Sequence, residues 1–136
     1  MKILKLTLPA KIDSLRKTED LIEEFAETHK LNPKTVFNLR LIIEEIVVNI
    51  ASYSYKPDEN GEFSIKVDCS DKNNIVLTFI DSGTPFDPTE NQTVHADTLS
   101  ETSPGGWGLH IVKKLSKQVK YSRENNKNVL EIVISR

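Results

Sequence analysis

The chain has 136 residues, a formal net charge of −2, 28% charged residues of mixed sign and one cysteine, Cys69. That length suits a single domain, residues 1–136, burying its own core without disulfides or structural metal, with Cys69 packed as a small hydrophobe. The weak acidic balance excludes the basic stripe of a nucleic-acid protein. MKILKLTLPAKID has no signal-peptide core and no run reaches the ~20 apolar residues of a membrane span, so a soluble, cytoplasmic protein is expected.

ILKLTL, residues 3–8, alternates apolar and polar side chains as a half-buried strand does, and Pro9 ends it. Asp13 or Ser14 can cap a first helix whose apolar positions Leu15, Leu21, Ile22, Phe25 and Ala26 keep helical spacing to about His29. Asn32-Pro33 is an N-cap followed by proline at the first helical position, so a second helix is expected from Pro33 to about Tyr53. The turn cluster KPDENGE then separates it from FSIKVDCS and NIVLTFID, two strand-like runs joined by DKNN as a hairpin. From Ser82 to Pro104 the composition is polar and turn-rich, the mark of a functional lid or a disordered segment. GGWGLHIVKKLSKQ opens with glycines and continues as a helix, and VKYSRENNKNVLEIVIS closes as a second hairpin around Asn125–Asn128. The order β-α-α-β-β-loop-α-β-β predicts an α+β two-layer sandwich, a mixed, mainly antiparallel sheet with helices on one face.

The second helix carries more polarity than its place in a core requires. At about 100° per residue, Leu39, Ile42, Ile43, Ile46, Val47 and Ile50 form one apolar arc, and Arg40, Glu44 and Ala51 the solvent face. A second polar stripe of Asn38, Glu45, Asn49 and Ser52 lies between Ile42 and the apolar pair Leu41/Val48. One wet face suffices for an amphipathic helix, so the second lines a polar pocket or a hydrogen-bonded seam. Glu45 and Asn49, four residues apart, reach the same spot. They either bond each other and a neighbouring strand, or offer oxygens to Mg²⁺ whose shell phosphates complete.

Two more segments carry chemistry. FIDSGTPFDP is a buried strand ending at Asp81, which serves either as a turn residue or as the acceptor for a base amino group; Gly83 would let a ligand approach the backbone. Gly105, Gly106 and Gly108 directly precede a helix, leaving backbone N–H groups for an anion. Neither the P-loop nor the dinucleotide spacing is present.

E-x-x-x-N on a long helix, D-x-G-x-P-F after a strand and G-G-x-G-L opening a helix occur in that order across nearly the whole chain. This resembles the Bergerat-type nucleotide-binding architecture of the GHKL ATPases. NIASYSY, DSGTPFDP, GGWGLHIVKKL and YSRENNKNVLEI more closely resemble the anti-sigma-factor serine/threonine kinases of the RsbW/SpoIIAB type. The resemblance implies ATP and Mg²⁺ as cofactors, with Asn49 as metal ligand and Glu45 as general base toward a substrate hydroxyl. It further implies that Asp81 and Gly83 hold adenine, that Gly105, Gly106, Gly108 and Leu109 meet the phosphates, and that residues 89–104 close as a lid. Implied partners are a sigma factor and a STAS-type antagonist that is phosphorylated, with homodimers and no role for nucleic acid or membrane. One departure stands out: relatives commonly carry an arginine shortly before the glycines, whereas SETSPGG has none and no Lys or Arg occurs from Asn73 to Val112. His95 and His110 are expected at the surface or in packing, and Trp107 against lid or sheet. A binding module gated by ATP is the alternative to a kinase; the catalytic piece of a histidine kinase fits less well, as no phospho-accepting helical domain is present.

Overall fold

A computed structural model describes residues 2–87, 89 and 106–136, with the backbone alone for 106–109. The order is β1 (Ile3–Pro9), α1 (Ser14–Thr28), α2 (Pro33–Asn49), a π-helical turn (Ile50–Ser54), β2 (Glu62–Asp68), β3 (Asn74–Asp81), α3 (Gly106–Leu115), β4 (Gln118–Glu124) and β5 (Lys127–Ser135). The expected order of strands and helices is therefore present, and the fold is α+β.

The five strands form one sheet in the order β1-β2-β3-β5-β4. Every neighbouring pair is antiparallel, where a mixed sheet is expected. The reason lies in the last hairpin. Asn125 and Asn126 both adopt positive φ, 51° and 61°, the geometry of a tight two-residue turn. It folds β5 back between β4 and β3, separating the only two strands a parallel crossover would have paired.

Strand periodicity sorts the side chains. Leu4, Leu6 and Leu8 of β1 stand opposite Val67, Ile65 and Phe63 of β2. The same row continues through Leu77 and Phe79 of β3 to Ile132 and Leu130 of β5. Leu39, Ile42, Ile43, Ile46, Val47 and Ile50 of the second helix cover this face and are buried, as the helical wheel predicts. Cys69 is buried and free.

Local chemistry sets the helix ends. The Asn32 side chain accepts from Thr35 N–H at 2.8 Å with Pro33 at the first position, a complete N-cap. Asp13 makes no such bond; the Ser14 hydroxyl instead donates to the Pro9 carbonyl at 2.7 Å and ties α1 to the end of β1. Beyond α1, Lys30 takes the left-handed conformation (φ 53°) and Leu31 N–H closes onto Ala26 O at 2.9 Å. The expected α-helix to Tyr53 is corrected: its last turn, Ile50–Ser54, is π-helical. Such turns arise where one extra residue is accommodated, frequently beside functional sites. Apolar spacing cannot reveal it, because four- and five-residue repeats both keep Ile46 and Ile50 on the core side. Asn128, expected in the last turn, lies within β5 instead, on the buried row of Leu130, Ile132 and Ile134.

Candidate functional site

At one end of the sheet the core-facing row changes from apolar to polar. Asp81 closes β3 and stands directly opposite Asn128 of β5. Both are buried, 6% and 5% exposed, because their strand parity is that of Phe79 and Leu130. From the helix layer α2 delivers Asn49, 3% exposed. These three line one small cavity of about 30 Å³ with Ser54, Phe86 and Tyr121 among its other walls.

Asp81 and Asn128 are tightly bonded. Asp81 Oδ1 accepts from Gly83 N–H and from Asn128 Nδ2, both at 2.9 Å. Asn128 Nδ2 also donates to the Thr84 carbonyl at 2.8 Å. Asn128 Oδ1 accepts from the Tyr121 hydroxyl, from Arg123 Nη1 at 3.1 Å and from Phe86 N–H at 3.3 Å. Arg123 Nη1 reaches on to the Gly83 carbonyl at 2.8 Å. Segment 82–86 is also pinned from the helix side, where Thr84 N–H meets Ser54 O at 2.7 Å and Ser82 N–H meets the Tyr55 hydroxyl at 2.8 Å. The Phe86 ring packs at 5.4 Å from that of Tyr53.

Asn49 contrasts with this. Among the described residues neither its amide nitrogen nor its amide oxygen has a hydrogen-bond partner. A bond to Glu45 or to a strand, the structural reading of the polar stripe, is therefore absent. Leaving a buried donor or acceptor unpaired costs roughly 1–3 kcal/mol. Native interiors rarely retain such a group without a function for it.

Glu45 lies one turn before Asn49 on the same stripe and is half-buried, outside the small cavity's wall. Burial, and then the charge of Glu44 beside it, hold its carboxyl above the ordinary range. Gly83 has a reason in the protein itself, since a Cβ there would stand 2.0 Å from the Ser54 carbonyl oxygen. Gly106 and Gly108 lie in the first turn of α3, whose backbone begins at Gly106; His110 is exposed. Gly105, His95 and residues 90–104 of the expected lid lie outside the described residues, as do the side chains of Trp107 and Leu109.

A larger groove lies elsewhere. It measures about 700 Å³, runs between α1 and α2 past Glu19, Glu23, Phe37 and Glu44, and includes none of the expected site residues. The small cavity is the better candidate because buried polar groups converge on it. Sequence reasoning missed Asn128, Tyr121 and Arg123. The signal for Asn128 was present: in NVLEIVIS it shares the alternation of Leu130, Ile132 and Ile134, so a polar residue falls on the core row.

Known proteins share this fold. The profile of the family described as "Histidine kinase-like ATPase domain" matches residues 8–134. Serine-protein kinase RsbW of Bacillus subtilis is 26% identical over 133 residues, covering 93% of this chain and 73% of that protein. Serine/threonine-protein kinase BtrW of Bordetella bronchiseptica is 24% identical over 129 residues, covering 93% and 90%. In fold, the chain is similar to a crystal structure of the RsbU and RsbW domains of Rv1364c from Mycobacterium tuberculosis. The TM-score is 0.70 at 17% identity, with all of this chain and 33% of that longer one covered. It is also similar to the catalytic domain of the histidine kinase ThkA, with a TM-score of 0.56 at 16% identity over 99% of this chain and 97% of that one. With its sheet, its helix layer and nearly its full length matched, the chain belongs to the histidine kinase-like ATPase domain family.

Proposed function

We propose that the chain, acting as one catalytic domain, is an ATP-dependent serine/threonine protein kinase that phosphorylates a STAS-type antagonist and holds a sigma factor. The carrying observation is the buried Asn49 amide, without a hydrogen-bond partner among the described residues, in the same cavity as the Asp81 carboxylate. Asp81 Oδ1 takes two protein donors, and Oδ2 has no hydrogen-bond partner among the described residues, so it can accept from the amino group of adenine. The cavity holds about one water, so only the hydrogen-bonding edge of a purine fits unless Phe86 moves. Asn49 Oδ1 is a suitable oxygen ligand for Mg²⁺. Among the described residues no three His, Cys, Asp or Glu side chains cluster, so phosphates and water would supply the ion's other ligands. Bound Mg-ATP supplies the phosphoryl group and the cation that offsets its charge.

The chain's own residues then orient and deprotonate. Glu45, with its proton affinity raised by burial, is a stronger base than an exposed carboxylate and takes the proton of the substrate hydroxyl. Backbone N–H groups at Gly105, Gly106, Gly108 and Leu109 would meet the phosphates, and residues 89–104 would serve as the lid, as the resemblance to the kinase family implies. The names and activities of RsbW and BtrW support the kinase reading. Among the described residues no helix is long and apolar enough to cross a membrane; a homodimer working in the cytoplasm is part of the same proposal.

A second reading, an ATP-gated binding module, draws on charge. No Lys or Arg occurs from Asn73 to Val112, and Arg123, which reaches Asn128 of the cavity wall, is engaged with it and with the Gly83 carbonyl. Electrostatic stabilisation of transferred charge is often the largest catalytic contribution. Incubation with labelled ATP and a STAS protein encoded nearby separates the two. A kinase labels a Ser or Thr of that protein, and Glu45→Gln lowers transfer by roughly 10²–10⁴-fold with nucleotide affinity preserved. Nucleotide binding without transfer by wild type favours the module.

A further inference from the structure

We infer that Asn128 is a positioning residue that sets base selectivity, by holding Asp81 in the one orientation that reads a 6-amino group. The inference rests on the nucleotide reading above and concerns a residue that need not touch the ligand.

Asn128 is saturated. Both hydrogens of Nδ2 are taken, one by Asp81 Oδ1 and one by the Thr84 carbonyl. Its Oδ1 receives the Tyr121 hydroxyl, the Arg123 guanidinium and Phe86 N–H. Only one orientation of the amide satisfies all five groups, since reversal would set Oδ1 against a carboxylate and a carbonyl, and Nδ2 against the Arg123 guanidinium and Phe86 N–H, both donors only. With no donor or acceptor left over, Asn128 has nothing to offer a base directly. Its effect passes through Asp81: with Gly83 N–H, it occupies Oδ1 and leaves Oδ2 for the ligand. The bond to Phe86 N–H, at 3.3 Å, is the longest of the five, and the one an outward shift of Phe86 releases.

A carboxylate fixed this way accepts from the amino group of adenine and repels the 6-oxo group of hypoxanthine. Freed to rotate, it would present either oxygen in several directions and discriminate less. Tyr121 contributes at one remove, because its hydroxyl donates to Oδ1 and so helps hold the Asn128 side chain in place beside Asp81.

The test is calorimetric titration of Mg-ATP and Mg-ITP into wild type, Asn128→Ala and Tyr121→Phe, with thermal unfolding to verify each fold. Wild type is expected to prefer ATP. Asn128→Ala should reduce ATP affinity by about tenfold, leave ITP nearly unchanged and so shrink the preference by a similar factor. Tyr121→Phe keeps the ring and Asn128, so it remains informative if the alanine variant does not fold; its preference should fall in the same direction by a smaller factor. Wild type binding neither nucleotide, or both equally, overturns the adenine reading together with this inference. A wild type that prefers ATP while folded variants keep that preference, or lose ATP and ITP affinity in equal measure, overturns the inference alone.

Discussion

Asn49 sets a cost against a function within one side chain. Its amide is buried among Ile46, Ile50 and Phe79 with no partner among the described residues, so the nucleotide-free protein carries the penalty of an unsatisfied polar group. Asn49→Leu is close in size and removes that penalty. It should stabilise the free protein by about 1 kcal/mol in denaturant unfolding while abolishing the rise in melting temperature that Mg-ATP gives wild type. A destabilised variant, or one with an intact nucleotide response, would show that Asn49 belongs to the fold and not to the ligand. Glu45 makes the complementary case. Its carboxyl is held above the ordinary 4.5 by burial and by Glu44, so the folded state binds its proton more tightly than the unfolded chain does. Stability is therefore lost as pH rises from about the unfolded value through the raised one. Glu45→Gln should be at least as stable as wild type at pH 7, with the difference closing below the ordinary carboxylate range. Urea unfolding at both pH values reads this directly.

Among the elements, the segment after β3 is where backbone and side chains depend most on one another. Gly83 sits against the carbonyl of Ser54 in the π-helical turn, and Thr84 N–H bonds that same carbonyl. A methyl group at position 83 forces the two apart. Gly83→Ala should cost roughly 1–3 kcal/mol of stability and weaken nucleotide binding through Asp81, whose Oδ1 accepts from Gly83 N–H. Thermal unfolding with and without Mg-ATP measures both effects, and an unperturbed variant would mean the π-helical turn shifts freely. Position 83 also marks the limit of what the sequence could disclose. Strands, helix starts and the core arc were legible because alternation and the Asn32-Pro33 cap are local signals. The π-helical turn was not, since its register differs from an α-helix by one residue while the apolar positions coincide. Asn49 and Asp81 could be singled out as polar residues in apolar runs. Asn128 escaped because the asparagine-rich turn beside it drew it into the loop, though its parity placed it in the core row.

At the scale of the molecule, the antiparallel sheet gathers chemistry at one end. The register that sets Phe63 opposite Asp81, and Asp81 opposite Asn128, extends to Arg123 at the edge strand. One polar row thus crosses β3, β5 and β4 beneath Asn49, while the rows below it are the hydrophobic core. That division lets the site carry unsatisfied groups without the whole fold depending on them, and a ligand binding only the folded state repays the difference as added stability. The central claim, that this polar row and Asn49 form an adenine-nucleotide site, is tested most directly by calorimetric titration of Mg-ATP into wild type and Asp81→Asn. An amide at position 81 must satisfy Gly83 N–H, Asn128 Nδ2 and the base with one acceptor oxygen in place of two. Wild type should bind, and the variant should lose affinity by at least about tenfold, or about 1.4 kcal/mol. Equal ATP affinity in the two proteins would contradict the account.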